Sequence, residues 1–222
     1  MSNYKVVEKF VSVNGEGIKS GQLSVFIRFK GCNLNCTYCD TKWANEENTC
    51  YEVMTDDEIL EYIVKTNVSN VTLTGGEPLL QPNIEKLIIK LADNAISCEI
   101  ETNGSIDIAK FRKKEDVITS FTMDYKLSAS RMNRYMLMNN FKYINMNDSI
   151  KFVVSNITDL TEAKKIIEDN NLIGRCNIFF SPAFEQINPQ EIVNFMIREN
   201  LNDIRLQLQI HKYIWDPNER GV

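Results

Sequence analysis

Apolar positions recur in two alternating rhythms along the chain. Short runs rich in branched and aromatic residues read as strands, and apolar positions spaced three and four apart read as helices. Residues 22–30, centred on Leu23-Ser24-Val25-Phe26-Ile27-Arg28-Phe29, form the first such strand. Thr55, with Glu58 three residues on, has the form of a helix-starting capping box, and Ile59, Leu60, Ile63 and Val64 then share one helical face. Residues 70–74 are a short apolar strand, followed by a helix near 83–93 and a strand at 96–102. Further strands are predicted at 117–125, 150–155, 177–181 and 204–209, with helices near 131–139, 159–170 and 189–199 between them.

Strand, helix, strand in this order predicts parallel strands joined by right-handed crossovers. A closed eightfold barrel takes about 250 residues. This chain has 222 and about six strand candidates after residues 22–30, which predicts an α/β fold with an open, partial parallel β/α barrel. No linker, repeat or low-complexity tract interrupts it, so residues 1–222 read as a single domain.

Composition narrows the function classes. The chain is 43% hydrophobic and 25% charged, with net charge −5 and a pI near 5.1, which argues against nucleic-acid and acidic-lipid partners. The short cation cluster Lys110, Arg112, Lys113 and Lys114 reads as a solvated face. Met1-Ser2-Asn3-Tyr4-Lys5 lacks the features of a secretion signal, and no apolar run reaches membrane-spanning length. A cytoplasmic location follows as an expectation, and structural disulfides are rare there. Of six cysteines, Cys50, Cys98 and Cys176 stand apart, and the last two fall in apolar runs as buried small hydrophobes.

The other three occupy one short loop, Cys32-Asn33-Leu34-Asn35-Cys36-Thr37-Tyr38-Cys39. A closed zinc site wants four N or S ligands and an electron-transfer 4Fe–4S cluster wants four thiolates. Three thiolates would leave one iron of such a cluster open to a small molecule. The loop follows the first predicted barrel strand, Gly75-Gly76-Glu77-Pro78 follows the second, and Glu101-Thr102-Asn103-Gly104 ends the third. Ligands gather at these C-terminal strand ends in parallel α/β folds. Plainer readings stand beside each: zinc completed by His211, a surface ion pair for Arg28, a backbone cap for Glu101, a turn at Asn103-Gly104, a structural His211 and an ordinary loop hydroxyl for Thr41.

The C-x3-C-x2-C spacing with Tyr38 before Cys39, followed by Gly75-Gly76-Glu77-Pro78, resembles the radical S-adenosylmethionine enzymes. That resemblance implies one 4Fe–4S cluster per chain on Cys32, Cys36 and Cys39, with the amino and carboxylate groups of S-adenosylmethionine on the fourth iron. One-electron cleavage of the sulfonium would release a 5′-deoxyadenosyl radical, which abstracts substrate hydrogen.

Over nearly the whole chain, Asn14-Gly15-Glu16-Gly17, Arg28, Cys39-Asp40-Thr41 and Gln209-Ile210-His211-Lys212-Tyr213 resemble the 7-carboxy-7-deazaguanine synthases. The implied reaction rearranges 6-carboxy-5,6,7,8-tetrahydropterin to 7-carboxy-7-deazaguanine with loss of ammonia, on the route to queuosine, with magnesium required. The resemblance places Val13, Asn14, Gly15, Arg28 and Thr74 on the pterin, with Arg28 clamping an acidic group, and Thr41 on Mg2+. It places Tyr38, Cys39, Asp40, Gly76, Asp124, Tyr125, Lys126, Ser181, Pro182, Ala183 and Phe184 around S-adenosylmethionine. It further implies a homodimer and a flavodoxin- or ferredoxin-type electron donor.

The chain departs from the family pattern where Asn14 replaces Gln, where Asp124-Tyr125-Lys126 replaces Ser-Pro-Lys, and where it runs on through Trp215-Asp216-Pro217. The alternatives are a glycyl-radical activase and a non-enzymatic iron–sulfur or zinc module.

Overall fold

The computed structural model describes residues 2–112, 119–217 and 219–222. The apolar run at Leu23–Phe29 becomes β2, with Val25, Ile27 and Phe29 fully buried on one side and Phe26 and Arg28 turned to the other. That alternation repeats through β4 (Asn70–Gly75), β5 (Ser97–Thr102), β6 (Thr119–Tyr125), β7 (Ser149–Val154) and β8 (Asn177–Pro182). Together with β9 (Ile204–Leu206) these strands run parallel in sequence order. Helices α1 (Asp56–Thr66), α2 (Ile84–Asp93), α3 (Ile157–Asp169) and α4 (Pro189–Arg198) cross over between them and cover the apolar side. The open parallel arrangement expected from the sequence is therefore present.

Capping explains where the helices start. At α1, Thr55 Oγ1 accepts from Glu58 N at 3.3 Å and Glu58 Oε2 accepts from Thr55 N at 2.7 Å. Ile59 and Ile63 are fully buried, whereas Val64 is 62% exposed and lies off the buried stripe. At α4, Asn188 caps and Pro189 opens the first turn, where its missing N–H costs nothing.

Two strands were not predicted. β1 (Asn3–Val13) and β3 (Glu52–Thr55) extend the sheet antiparallel beyond β2, giving the order β3-β1-β2-β4-β5-β6-β7-β8-β9 among the described residues. The predicted helix at 131–139 is absent. Short 3₁₀ turns at Asn133–Tyr135 and Met138–Lys142 take its place, because the surrounding polar groups bind a loop instead of a helix ladder. Leu137 N donates to Gly104 O, and Asn140 Nδ2 donates to Gly104 O and Ile106 O.

β9 ends earlier than predicted, and Gln207 Nε2 beyond it reaches Gly17 O at 3.2 Å. Residues 117 and 118 of the predicted sixth strand, and Lys113 and Lys114 of the cation cluster, lie outside the described residues. Arg112 is not part of a solvated face, since it pairs with the buried carboxylate of Asp148. Cys98 and Cys176 are buried and Cys50 is exposed. Among the described residues no helix is long and apolar enough to cross a membrane.

Candidate active site

The side of the sheet that the helices leave uncovered carries polar side chains in register. Arg28 lies beside Thr74, Glu101 beside Thr122, and Asp124 beside Lys151. With the loops at the C-terminal strand ends they line a cavity of about 640 Å³.

The cysteine loop forms one wall. Cys32, Cys36 and Cys39 all line the cavity. Leu34 N and Asn103 Nδ2 approach Cys32 Sγ at 3.4 and 3.6 Å, and Thr41 Oγ1 lies 3.6 Å from Cys39 Sγ. Thr37 fastens the loop to the following segment by donating to Ala129 O at 2.7 Å. Burial pushes the Cys36 thiol up to about 11, against the pull of Lys126, and raises the Cys32 thiol for the same reason. A positive metal centre would reverse that balance by stabilising the thiolates.

His211 packs on Gly15, where an added Cβ would lie 2.5 Å from its Nδ1. Among the described residues no three His, Cys, Asp or Glu side chains are drawn together as a closed set for a lone metal ion. The donor set suits an iron–sulfur cluster: three soft thiols on one loop, facing a roomy cavity. Three buried oxygens on that cavity, Glu16 Oε1, Tyr38 Oη and Asp124 Oδ1, have no hydrogen-bond partner among the described residues. They are available to a polar ligand, as buried polar atoms require.

The rest of the lining is a balanced charge network. Lys151 pairs with Glu16 and lies 3.7 Å from Asp124, and Lys126 pairs with Asp124 at 2.8 Å. Burial by itself would lower both lysines, but the carboxylates around them hold them above the ordinary lysine range. Glu101 accepts from Thr74 Oγ1 at 2.5 Å, and burial raises its carboxyl to about 7. Arg28 Nε donates to Glu8 Oε2 at 2.9 Å. The ion pair considered for Arg28 therefore exists, and it stands on the cavity wall.

Of the residues the resemblance singled out, Val13, Asn14, Gly15, Arg28, Thr74, Tyr38, Cys39, Asp40, Thr41, Gly76, Asp124, Lys126 and 181–184 line this cavity. The Asn14 amide is turned inward, donating to Glu99 Oε2 at 2.7 Å while its Oδ1 accepts from Glu16 N. Tyr125 is not brought in. Its ring stacks on Phe141 and packs on Phe152 on the opposite face, as strand alternation between Asp124 and Lys126 demands.

Sequence reasoning missed Glu8, Phe10, Lys151 and the Trp43–Arg220 contact, in which the guanidinium sits 4.1 Å from the ring centroid. Glu8 and Phe10 lie on the unpredicted β1. Lys151 alone carried a signal, one step into a strand whose neighbour bears Asp124.

Residues 26–136 match the Radical SAM superfamily, the class that a three-thiol loop on an open parallel β/α sheet defines. The chain is 59% identical to the 7-carboxy-7-deazaguanine synthase of Clostridium acetobutylicum, covering 99% of this chain and 100% of that one. It is 34% identical to the enzyme of that name from Chlorobaculum tepidum, covering 98% and 96%. The crystal structure of QueE from Escherichia coli shares the fold, with a TM-score of 0.75 at 24% identity over 93% of this chain and 94% of that one. The chain belongs to the 7-carboxy-7-deazaguanine synthase family. Membership of the wider superfamily implies S-adenosylmethionine and an iron–sulfur cluster as its cofactors.

Proposed function

We propose that this chain is the ring-contracting lyase that converts 6-carboxy-5,6,7,8-tetrahydropterin to 7-carboxy-7-deazaguanine with loss of ammonia, in deazapurine (queuosine) biosynthesis. One observation carries the reading: the cysteine loop and the Arg28–Thr74 wall line the same cavity. A cluster on Cys32, Cys36 and Cys39 with S-adenosylmethionine would supply a one-electron reductive cleavage that generates the hydrogen-abstracting radical.

The chain's own residues do the rest. Arg28 receives the substrate carboxylate, for which its planar fork is suited. Thr74 and the backbone at Val13, Asn14 and Gly15 hold the ring beside it. Asp40, Gly76, Tyr38, Lys126, Asp124 and residues 181–184, with the backbone at Tyr125, cradle the nucleotide. Thr41 would offer one hydroxyl oxygen to Mg2+, which would supply electrostatic stabilisation of substrate oxygens. A homodimer in the cytoplasm, reduced by a flavodoxin- or ferredoxin-type donor, completes the reading.

The test is anaerobic turnover of 6-carboxytetrahydropterin by cluster-replete protein, with and without magnesium, reading the product by mass. Product that depends on magnesium is the expected result, with Cys36→Ala giving none. Unreacted substrate from the intact holoenzyme would overturn the substrate assignment. Turnover by Cys36→Ala would overturn the cluster site.

A further inference from the structure

Glu8 reaches Arg28 only because β1 is irregular. The register runs Val6 opposite Phe29 and then Glu8 opposite Arg28, so Val7 is an extra residue in β1, a β-bulge. In unbroken register Val7 would face Arg28 and Glu8 would face Ile27, whose side chain is fully buried on the helix side. The bulge therefore re-aims a carboxylate onto the cavity wall beside the guanidinium. Both side chains are largely covered, 17% exposed for Arg28 and 16% for Glu8. Next along the two strands, Phe10 and Phe26 stack face to face with centroids 5.1 Å apart and also line the cavity.

Which nitrogen Glu8 takes matters. A guanidinium can meet a carboxylate side-on, through Nε and one Nη, or end-on, through both Nη groups. Glu8 occupies Nε at 2.9 Å, which blocks the side-on approach and leaves the end-on pair. The Phe10–Phe26 stack walls the same stretch of cavity with apolar surface, where a polar group is costly to leave unpaired. A guanidinium fixed at Nε has fewer orientations to lose when a ligand arrives, and such pre-organisation favours binding.

We propose that Glu8 is a positioning residue for substrate recognition: it holds Arg28 by Nε so that the two Nη groups meet the carboxylate of an acidic substrate end-on. This rests on the reading of Arg28 as the carboxylate clamp. Because Glu8 already offsets the arginine's charge, its contribution is orientation rather than attraction. The acceptor oxygen matters more than the negative charge.

The test uses the anaerobically reconstituted enzyme with 6-carboxytetrahydropterin as substrate and tetrahydropterin lacking the carboxylate as competitor. Glu8→Ala should raise KM about tenfold, equivalent to ~1.4 kcal/mol, with kcat changed by less than about twofold. Glu8→Gln, which keeps an acceptor for Nε, should recover most of that loss. The inhibition constant of the uncarboxylated pterin should not move in either variant.

Iron content and thermal unfolding of each variant establish that it is folded and loaded. If Glu8→Ala leaves KM unchanged, or tightens it, while Arg28→Ala raises it, the positioning role is overturned and the clamp stands. If Arg28→Ala leaves KM unchanged, the clamp itself is overturned. Equal weakening of both pterins by Glu8→Ala would mean general disruption and would also overturn the proposal.

Discussion

A methyl group at position 76 would lie 2.0 Å from the carbonyl oxygen of Gly31 and 2.4 Å from Asn45 Oδ1, closer than real Cβ atoms come. At position 75 it would meet Phe29 O at 2.3 Å, on a backbone with φ of +128° that L side chains rarely adopt. Gly76 N donates to Phe29 O and Glu77 N to Gly31 O, so the end of β4 lies directly on the chain leading from β2 into the cysteine loop. The first effect of the glycine pair is to let backbone approach backbone, and this sets the position from which the thiols start. Gly76→Ala should push the two segments apart, cost about 1–3 kcal/mol as overpacking does, and lower iron incorporation. Iron and sulfide per chain after anaerobic reconstitution, with a thermal melt, measure both effects. A full iron load with an unchanged melt would show that the loop yields without consequence.

At the scale of elements, Glu77 does for β4 and β5 what the glycines do for β2 and β4. It is fully buried and accepts from Asn103 N at 2.7 Å, Thr102 Oγ1 at 2.9 Å and Leu79 N at 3.0 Å. Burial raises its carboxyl to about 7, and those three bonds restrain the rise. Asn103, positioned in this way, donates onward to Cys32 Sγ. Glu77→Gln replaces one acceptor oxygen by a donor that must face a backbone N–H or a hydroxyl. A loss of about 1–3 kcal/mol in unfolding free energy is expected, read by denaturant titration of the holoenzyme. An unchanged midpoint would mean the loop has another anchor.

The motifs at the ends of β2, β4 and β5 were legible in the sequence because parallel topology alone sends them to one rim. Even the turning away of Tyr125 was available from strand period. β1 was not legible. Only its β3 partner lies far along the chain, but its bulge against β2 breaks the alternation that marks a strand, and Glu8, Lys9 and Phe10 gave no clue to which face each would take. Of the site residues that escaped sequence reasoning, Glu8 and Phe10 are the ones that depend on that pairing. The false helix at 131–139 has the converse origin, since helical spacing there was overridden by side chains that bind the turns of another loop.

Across the whole molecule, net charge −5 is distributed unevenly, with carboxylates gathered inside the barrel: Glu16, Glu101 and Asp124 act on Lys151, Asp124 pairs with Lys126, and Glu99 is buried against Asn14 and Thr122. Burial is the largest influence on Glu101, Lys151 opposes it, and Glu16 and Glu99 add to it, so the carboxyl sits at about 7 against an ordinary value of 4.5. A carboxyl whose folded value is raised keeps a proton that the unfolded chain has already released. Its contribution to stability is fully present below 4.5 and is lost as pH rises through 7. Glu77 titrates in the same direction over the same window, whereas the two lysines, held above the ordinary lysine range, change only in strongly alkaline solution.

The holoenzyme should therefore unfold at progressively lower temperature between about pH 5 and pH 8. Glu101→Gln, which cannot ionise and still offers Thr74 an acceptor oxygen, should flatten part of that slope and leave the shares due to Glu77 and Glu99, whose carboxyls burial also raises. Relative to the natural chain, the variant should gain about 1–3 kcal/mol between those two pH values. Parallel melting curves for the two proteins, with identical slopes from acid to alkaline, would mean that Glu101 is ionised throughout and that Lys151, not burial, governs the interior charge.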